Sequence, residues 1–204
     1  MAAIIDWPDT LRPEKVDWGL FVPQAWGASV FDGSAQADTL GPARWFFTVT
    51  TGPLKADLVP EWEAFLQRLR GRVNLARAWD WRREAPLGVA THLVTGPKVR
   101  FDATGASLES FEWTPSTANI LKAGSYIGVN GELKRLSTSA SSDATGVAVL
   151  NFEPPLRALA PAGGVITLVK PTAKFMLMTE RLAMPQEGAR HPGFTAQFEE
   201  DLRA

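Results

Sequence analysis

The chain has 204 residues, 45% hydrophobic and 21% charged, enough to bury one ordinary core or two small ones. Lys and Arg total 21 against 22 Asp and Glu, a formal net charge of −1 that argues against a dedicated nucleic-acid binder. The absence of cysteine excludes disulfides, thiolate metal sites and cysteine nucleophiles.

In chain order, the first residues carry Pro8 and Pro13 among acids such as Asp6, Asp9, Glu14 and Asp17. They lack the basic and apolar regions of a signal peptide, and no run approaches the ~20 apolar residues of a membrane span. A soluble chain, made and kept on the cytoplasmic side, is the expectation. Residues 16–40 alternate Trp18, Leu20, Val22, Trp26 and Val30 with Gly and Pro, as an irregular hairpin or a long loop before a short strand. Arg44–Thr51 is rich in aromatic and β-branched residues and reads as a strand, with Trp45, Phe47 and Val49 on one face.

Asp57 then offers an N-cap, and Pro60 falls in a first turn, where its missing N–H costs little. Leu58, Trp62, Phe65, Leu66 and Leu69 follow at helical spacing, so a helix over 57–70 is predicted, with Gly71 as its C′ residue. Val73, Leu75, Trp79 and Trp81 alternate as one face of a second strand.

Pro86 and Gly88 mark a boundary, and residues 89–118 show only short pieces such as 99–101 and 108–113. Tyr126–Val129 and Glu132–Leu136 flank Asn130-Gly131, the preferred two-residue hairpin turn. Strands at 147–152, stopped by Pro154-Pro155, and at 165–169, 175–179 and 194–198 complete a mainly β pattern with one helix.

Catalytic motifs are missing from this pattern. His92 and His191 have no ligand at metal spacing, no Gly-x-Ser-x-Gly occurs, and neither phosphate-binding glycine motif is present. Glu61 with Glu63, or Glu199-Glu200-Asp201, could in principle cleave a glycan, but a solvated helix face and a charged terminus explain them. No catalytic residue, cofactor or metal is therefore assigned.

The unusual entry in the composition is aromatic: eight Trp and eleven Phe against one Tyr. Arg68, Arg70, Arg72, Arg77, Arg82 and Arg83 crowd one stretch, with Trp79 and Trp81 interleaved. Such a patch suits a protein interface better than a nucleic-acid platform in a chain that is not basic. Trp7, Trp18, Trp26 and Trp113 lie outside clear periodicity and are expected at subunit contacts. The candidate interface set is thus Trp7, Trp18, Trp26, Trp79, Trp81, Arg82, Arg83 and Trp113.

The order of segments resembles the distal tail proteins of long, non-contractile-tailed phages. The likeness runs through strand 44–51, helix 57–70 ending Phe65-Leu66-Gln67-Arg68-Leu69-Arg70-Gly71, and the strand into Trp81-Arg82-Arg83. Leu121–Val129, Gly131–Leu136 and Phe152-Glu153-Pro154-Pro155-Leu156-Arg157 are similar to elements of phage minor tail proteins. The resemblance implies a β-sandwich or split-barrel ring domain with one helix, over 1–85 and 171–204, carrying an inserted small β-barrel over 86–170. It also implies a homo-oligomeric ring, commonly a hexamer, at the virion tail tip, between the tail-tube protein and the hub protein. DNA would pass through the ring without being held, and no membrane is involved. Alternatives are another minor tail protein at the tube end or hub, a carbohydrate-binding tail-tip module with Trp113 or Trp26 as stacking platform, and a muralytic enzyme.

Overall fold

The computed structural model describes residues 2–28, 34–88, 96–181, 183–187 and 191–202. Its elements, in chain order, are β1 (Ile4–Asp6), β2 (Lys15–Phe21), β3 (Gln24–Ala28), β4 (Ala35–Thr39), β5 (Arg44–Thr50), α1 (Val59–Leu69), β6 (Leu75–Ala78) and β7 (Lys98–Val99). They continue with β8 (Ala103–Phe111), β9 (Tyr126–Val129), β10 (Glu132–Leu136), β11 (Ala148–Ala160), β12 (Ile166–Thr167), β13 (Ala173–Leu177) and β14 (Thr195–Glu200). The fold is mainly β, with one helix among the described residues. It divides into two compact units, Met1–Ala78 with Lys174–Ala204, and Trp79–Ala173.

The first unit is built on a six-stranded sheet of order β1-β6-β13-β14-β5-β2. Alternation along β5 sends Trp45, Phe47 and Val49 into the core and leaves Arg44, Phe46 and Thr48 on the opposite face. Helix α1 covers the core face with Val59, Trp62, Phe65, Leu66 and Leu69. Its start differs from the expectation: Leu58 is the N-cap and no side chain caps it, although Pro60 does sit in the first turn. The end matches the expectation: Gly71 follows the C-cap Arg70 as the C′ residue at φ 63°, with Arg70 itself also left-handed at φ 49°.

Strand β6 stops at Ala78, so Trp79 and Trp81 do not extend an alternating strand as predicted, and Val73 is exposed. Glu200 and Asp201, expected on a solvated terminus, are buried instead. Glu200 accepts the Trp45 backbone N–H at 3.0 Å.

The second unit is a six-stranded sheet of order β12-β9-β10-β11-β8-β7, with hydrogen bonds that bring its two edges together. Lys98 bridges Val165, Val99 N–H donates to Gly164 C=O at 2.9 Å, and Ile166 N–H donates to Pro97 C=O at 2.8 Å. The result is a nearly closed barrel, an arrangement that removes exposed edges. Val99, Leu108, Trp113, Ile120, Ile127 and Leu150 are among its core residues.

Asn130 and Gly131, at φ 50° and 76°, make the β9–β10 turn, matching the Asn-Gly preference for positive φ at both central positions. Strand β11 runs through Pro154-Pro155 rather than stopping there. Its pairing with β8 is interrupted between Asn151 and Leu156, where the prolines have no N–H to give.

Glu132 and Lys134 lie opposite Val129 and Ile127, which places both charges on the inward face of the barrel. Lys134 is fully buried, and its Nζ donates to Glu132 Oε2 at 2.6 Å and to Pro155 C=O at 2.7 Å. Glu132 also accepts backbone N–H groups from Arg157 and Ala158, and Arg157 Nε stands 3.3 Å away. Burial pushes the Glu132 carboxyl up, but the hydrogen bond and charge of Lys134, with the Arg157 N–H, hold it below the usual carboxylate range.

Candidate functional site

The structure separates the eight candidate residues into core and surface. Trp7 is buried in the first unit, edge-on to Trp62, Phe65 and Phe198, with its indole N–H donated to Leu11 C=O at 2.7 Å. Trp113 is buried in the barrel, where Nε1 donates to Ser110 Oγ at 2.8 Å. Neither indole is offered to a neighbouring subunit or to a sugar ring, so both correct the expectation. Aperiodic context led to an outward assignment that long-range packing reverses. Trp18 sits in β2 opposite Phe47 and stacks on it at 4.9 Å with an interplanar angle of 4°, half-buried on the core face.

The arginine-rich stretch is divided between the units and tied down locally. Arg72 reaches Glu180 and Arg77 reaches Asp6 in the first unit. In the second, Arg82 chelates the buried Asp80 with Nε and Nη2 at 2.9 and 2.8 Å. That Asp80 hydrogen bond raises the Arg82 pKa, against the opposing effect of burial, and burial followed by the Asp80 charge raises Tyr126. Arg83 donates to Gly124 C=O at 2.7 Å. Trp79 is buried with Lys170 Nζ 4.5 Å from its ring centroid, and Trp81 leans on it at 5.7 Å. Replacing Trp79 or Arg82 therefore perturbs the packing of this region directly.

Of the tryptophans in the set, one stands in the open. Trp26, 71% exposed, lies in the hairpin formed by β3 and β4, every described residue of which is exposed. This hairpin continues the β2–β5 pair outward as an arm. Phe21 pairs with Arg44 and Gln24 with Thr39, so Val22 and Pro23 on one side face Leu40 to Ala43 on the other. That mismatch is a bulge, held by the Leu40 N–H to Pro23 C=O bond at 2.9 Å and stiffened by Pro23 and Pro42. The turn, residues 29–33, lies outside the described residues, as does Val30.

Register assigns the two faces of the arm. Trp26 pairs with Ala37 and Ala28 with Ala35, so these residues share one face with Gln24 and Thr39. Gln36 and Asp38 share the other with Ala25 and Gly27.

A second surface was not anticipated from sequence. The sheet face turned away from α1 holds a groove of about 470 Å³ lined by Phe21, Arg44, Phe46, Thr48, Met178 and Gln197, among others. Phe21 and Phe46 are 47% and 41% exposed. Gly19 permits this, because a Cβ there would meet the Phe46 ring at 2.5 Å. Arg44 closes one side, 2.6 Å from Glu199 and 5.5 Å from the Phe21 centroid, while its buried Nε has no hydrogen-bond partner. The only signal in the sequence was the alternation of β5, which puts Phe46 opposite to Trp45 and Phe47.

Among the described residues no group of three or more His, Asp or Glu could hold a metal ion, and no helix is long and apolar enough to cross a membrane. His191 forms a bridge with Leu54, and His92 lies outside the described residues. Glu61 accepts the Thr10 hydroxyl on the surface of α1. The chain matches no protein-family model and no curated protein.

Proposed function

We propose that this chain is a structural component of a phage tail tip that assembles as a ring, joining the end of the tail tube to the hub and performing no catalysis. The segment order resembling distal tail proteins supports this reading, and so does the near-zero charge, which suits a wall that DNA passes without sticking. The observation that carries it is the β3–β4 arm. A two-stranded hairpin exposed on both faces is marginal on its own in water, and this one presents Trp26 among alanines, 71% exposed among the described residues. Such an element gains its stability in an assembly. Two unlike surfaces on one chain, arm and groove, are also what a head-to-tail ring requires.

Light scattering coupled to size-exclusion chromatography tests the reading. A six-subunit mass is expected, and a three-subunit mass would point to a hub-associated minor tail protein. Exposure of Trp26 gives the carbohydrate-binding alternative one supporting observation. Against it, Gln36 and Asp38, which would hydrogen-bond a stacked sugar, point away from the Trp26 face. A stable monomer that binds glycans, and loses that binding in Trp26→Ala, would replace the ring with the sugar module.

A further inference from the structure

We infer that the Trp26 face of the arm packs into the Phe21–Phe46 groove of the adjacent copy of this chain. The inference rests on the ring reading and names the surface that receives each arm.

Chemistry matches the two surfaces. Trp26, Ala28, Ala35 and Ala37 form an apolar patch on this face, and the indole is the one large side chain within it. The groove offers a floor of Phe46 and Thr48, with Phe21 and Met178 at its walls, and a volume that admits an indole. Seating the ring there covers exposed aromatic surface on both partners, the arrangement typical of an interface anchor. Gln24 and Thr39, on the Trp26 face, add side-chain hydrogen-bonding groups at the edge of that apolar contact.

Covalent geometry makes the contact intermolecular. Phe21 and Arg44 are the last pair of the sheet before the arm departs, so the arm leaves from the rim of its own groove. To enter that groove it would have to reverse direction within Val22-Pro23 and Gly41-Pro42-Ala43, where the two prolines fix φ and the Pro23 ring lies 3.6 Å from a Cβ built at Gly41. The groove must then take an arm from a neighbour, while the departing arm goes to the next groove. Repetition of that single heterologous contact closes a ring.

The cysteine-free chain makes the test clean. Two single variants, Ala37→Cys on the arm and Gln197→Cys in the groove, are mixed, allowed to reassemble, and treated with a short bismaleimide. A crosslinked heterodimer is expected from the mixture, and a covalent ladder from the double variant. Trp26→Ser should raise the concentration at which rings dissociate by about thirtyfold, as for an interface hot spot, with the melting temperature of the monomer unchanged. Native mass measurement of the unmodified chain separates the two ideas. Rings without a heterodimer crosslink overturn the arm-in-groove contact and leave the ring reading standing. A monodisperse monomer overturns the ring reading and this inference with it.

Discussion

Consider Glu132→Gln, which keeps the shape of a side chain buried in the barrel and removes only its charge. In the wild type the carboxylate is matched to a fully buried ammonium 2.6 Å away and to the N–H groups of Arg157 and Ala158. The variant replaces the carboxylate beside Lys134 with a neutral amide and keeps the Pro155 carbonyl as an acceptor, on the barrel face shared with Ile127 and Val129. Breaking a buried pair on one side costs about 3–5 kcal/mol, because the surviving charge stays desolvated. For a domain of this size each kcal/mol corresponds to about 4–8 °C, so the barrel should melt well over ten degrees lower, by roughly 12 °C or more.

Hydrogen exchange followed by mass spectrometry on β9 and β10 peptides reads this unit separately from the first. The double variant Glu132→Leu with Lys134→Met should recover most of the loss, since apolar replacement of a whole buried pair is commonly neutral or better. A Gln variant within about 1 kcal/mol of wild type would show instead that the pair contributes no more than a surface salt bridge.

Three further outcomes are expected. Trp7→Ala should destabilise the first unit by about 3–5 kcal/mol in urea unfolding, whereas Trp26→Ser should change it by less than about 0.5 kcal/mol, separating core from arm. Gly19→Val drives a side chain into the Phe46 ring; the ring must swing across the groove, costing about 1–3 kcal/mol and weakening assembly by light scattering. Acid should act on the barrel through Glu132, whose folded pKa is depressed. Its contribution is complete above the unfolded value of about 4.3 and is lost as pH falls through the lower folded value, so thermal melts should decline below about pH 4.3 in the wild type and much less in the Leu/Met double variant.

Local rules made part of this fold legible and long-range packing hid the rest. Asn130-Gly131 specifies its turn without outside help, and β9 and β10 emerge with the residues read from sequence. The apolar spacing of α1 needs only one buried face, so the helix was visible, while its cap depended on a tertiary setting that made Asp57 unnecessary. Strand β11 was read too short because Pro154-Pro155 ordinarily ends a ladder, and only the interrupted β8 pairing tolerates them. Glu132 and Lys134 looked like the solvated side of a hairpin; partners more than twenty residues away in sequence, Pro155, Arg157 and Ala158, allow them inside. Trp7 and Trp113 were misplaced for the same reason, since the acceptors that let an indole be buried leave no periodic trace. Of the candidate surface, Trp26 could be named in advance. The groove could not, because it needs Gly19, Phe46 and β14 side by side.

Ring assembly is read out by projection images of the purified chain in the electron microscope. Closed rings of six subunits around an open lumen wide enough for duplex DNA are expected, and in Trp26→Ser they come apart at the lower concentrations where wild-type rings persist. Wild-type particles that remain single folded chains at every concentration would contradict assembly into a ring.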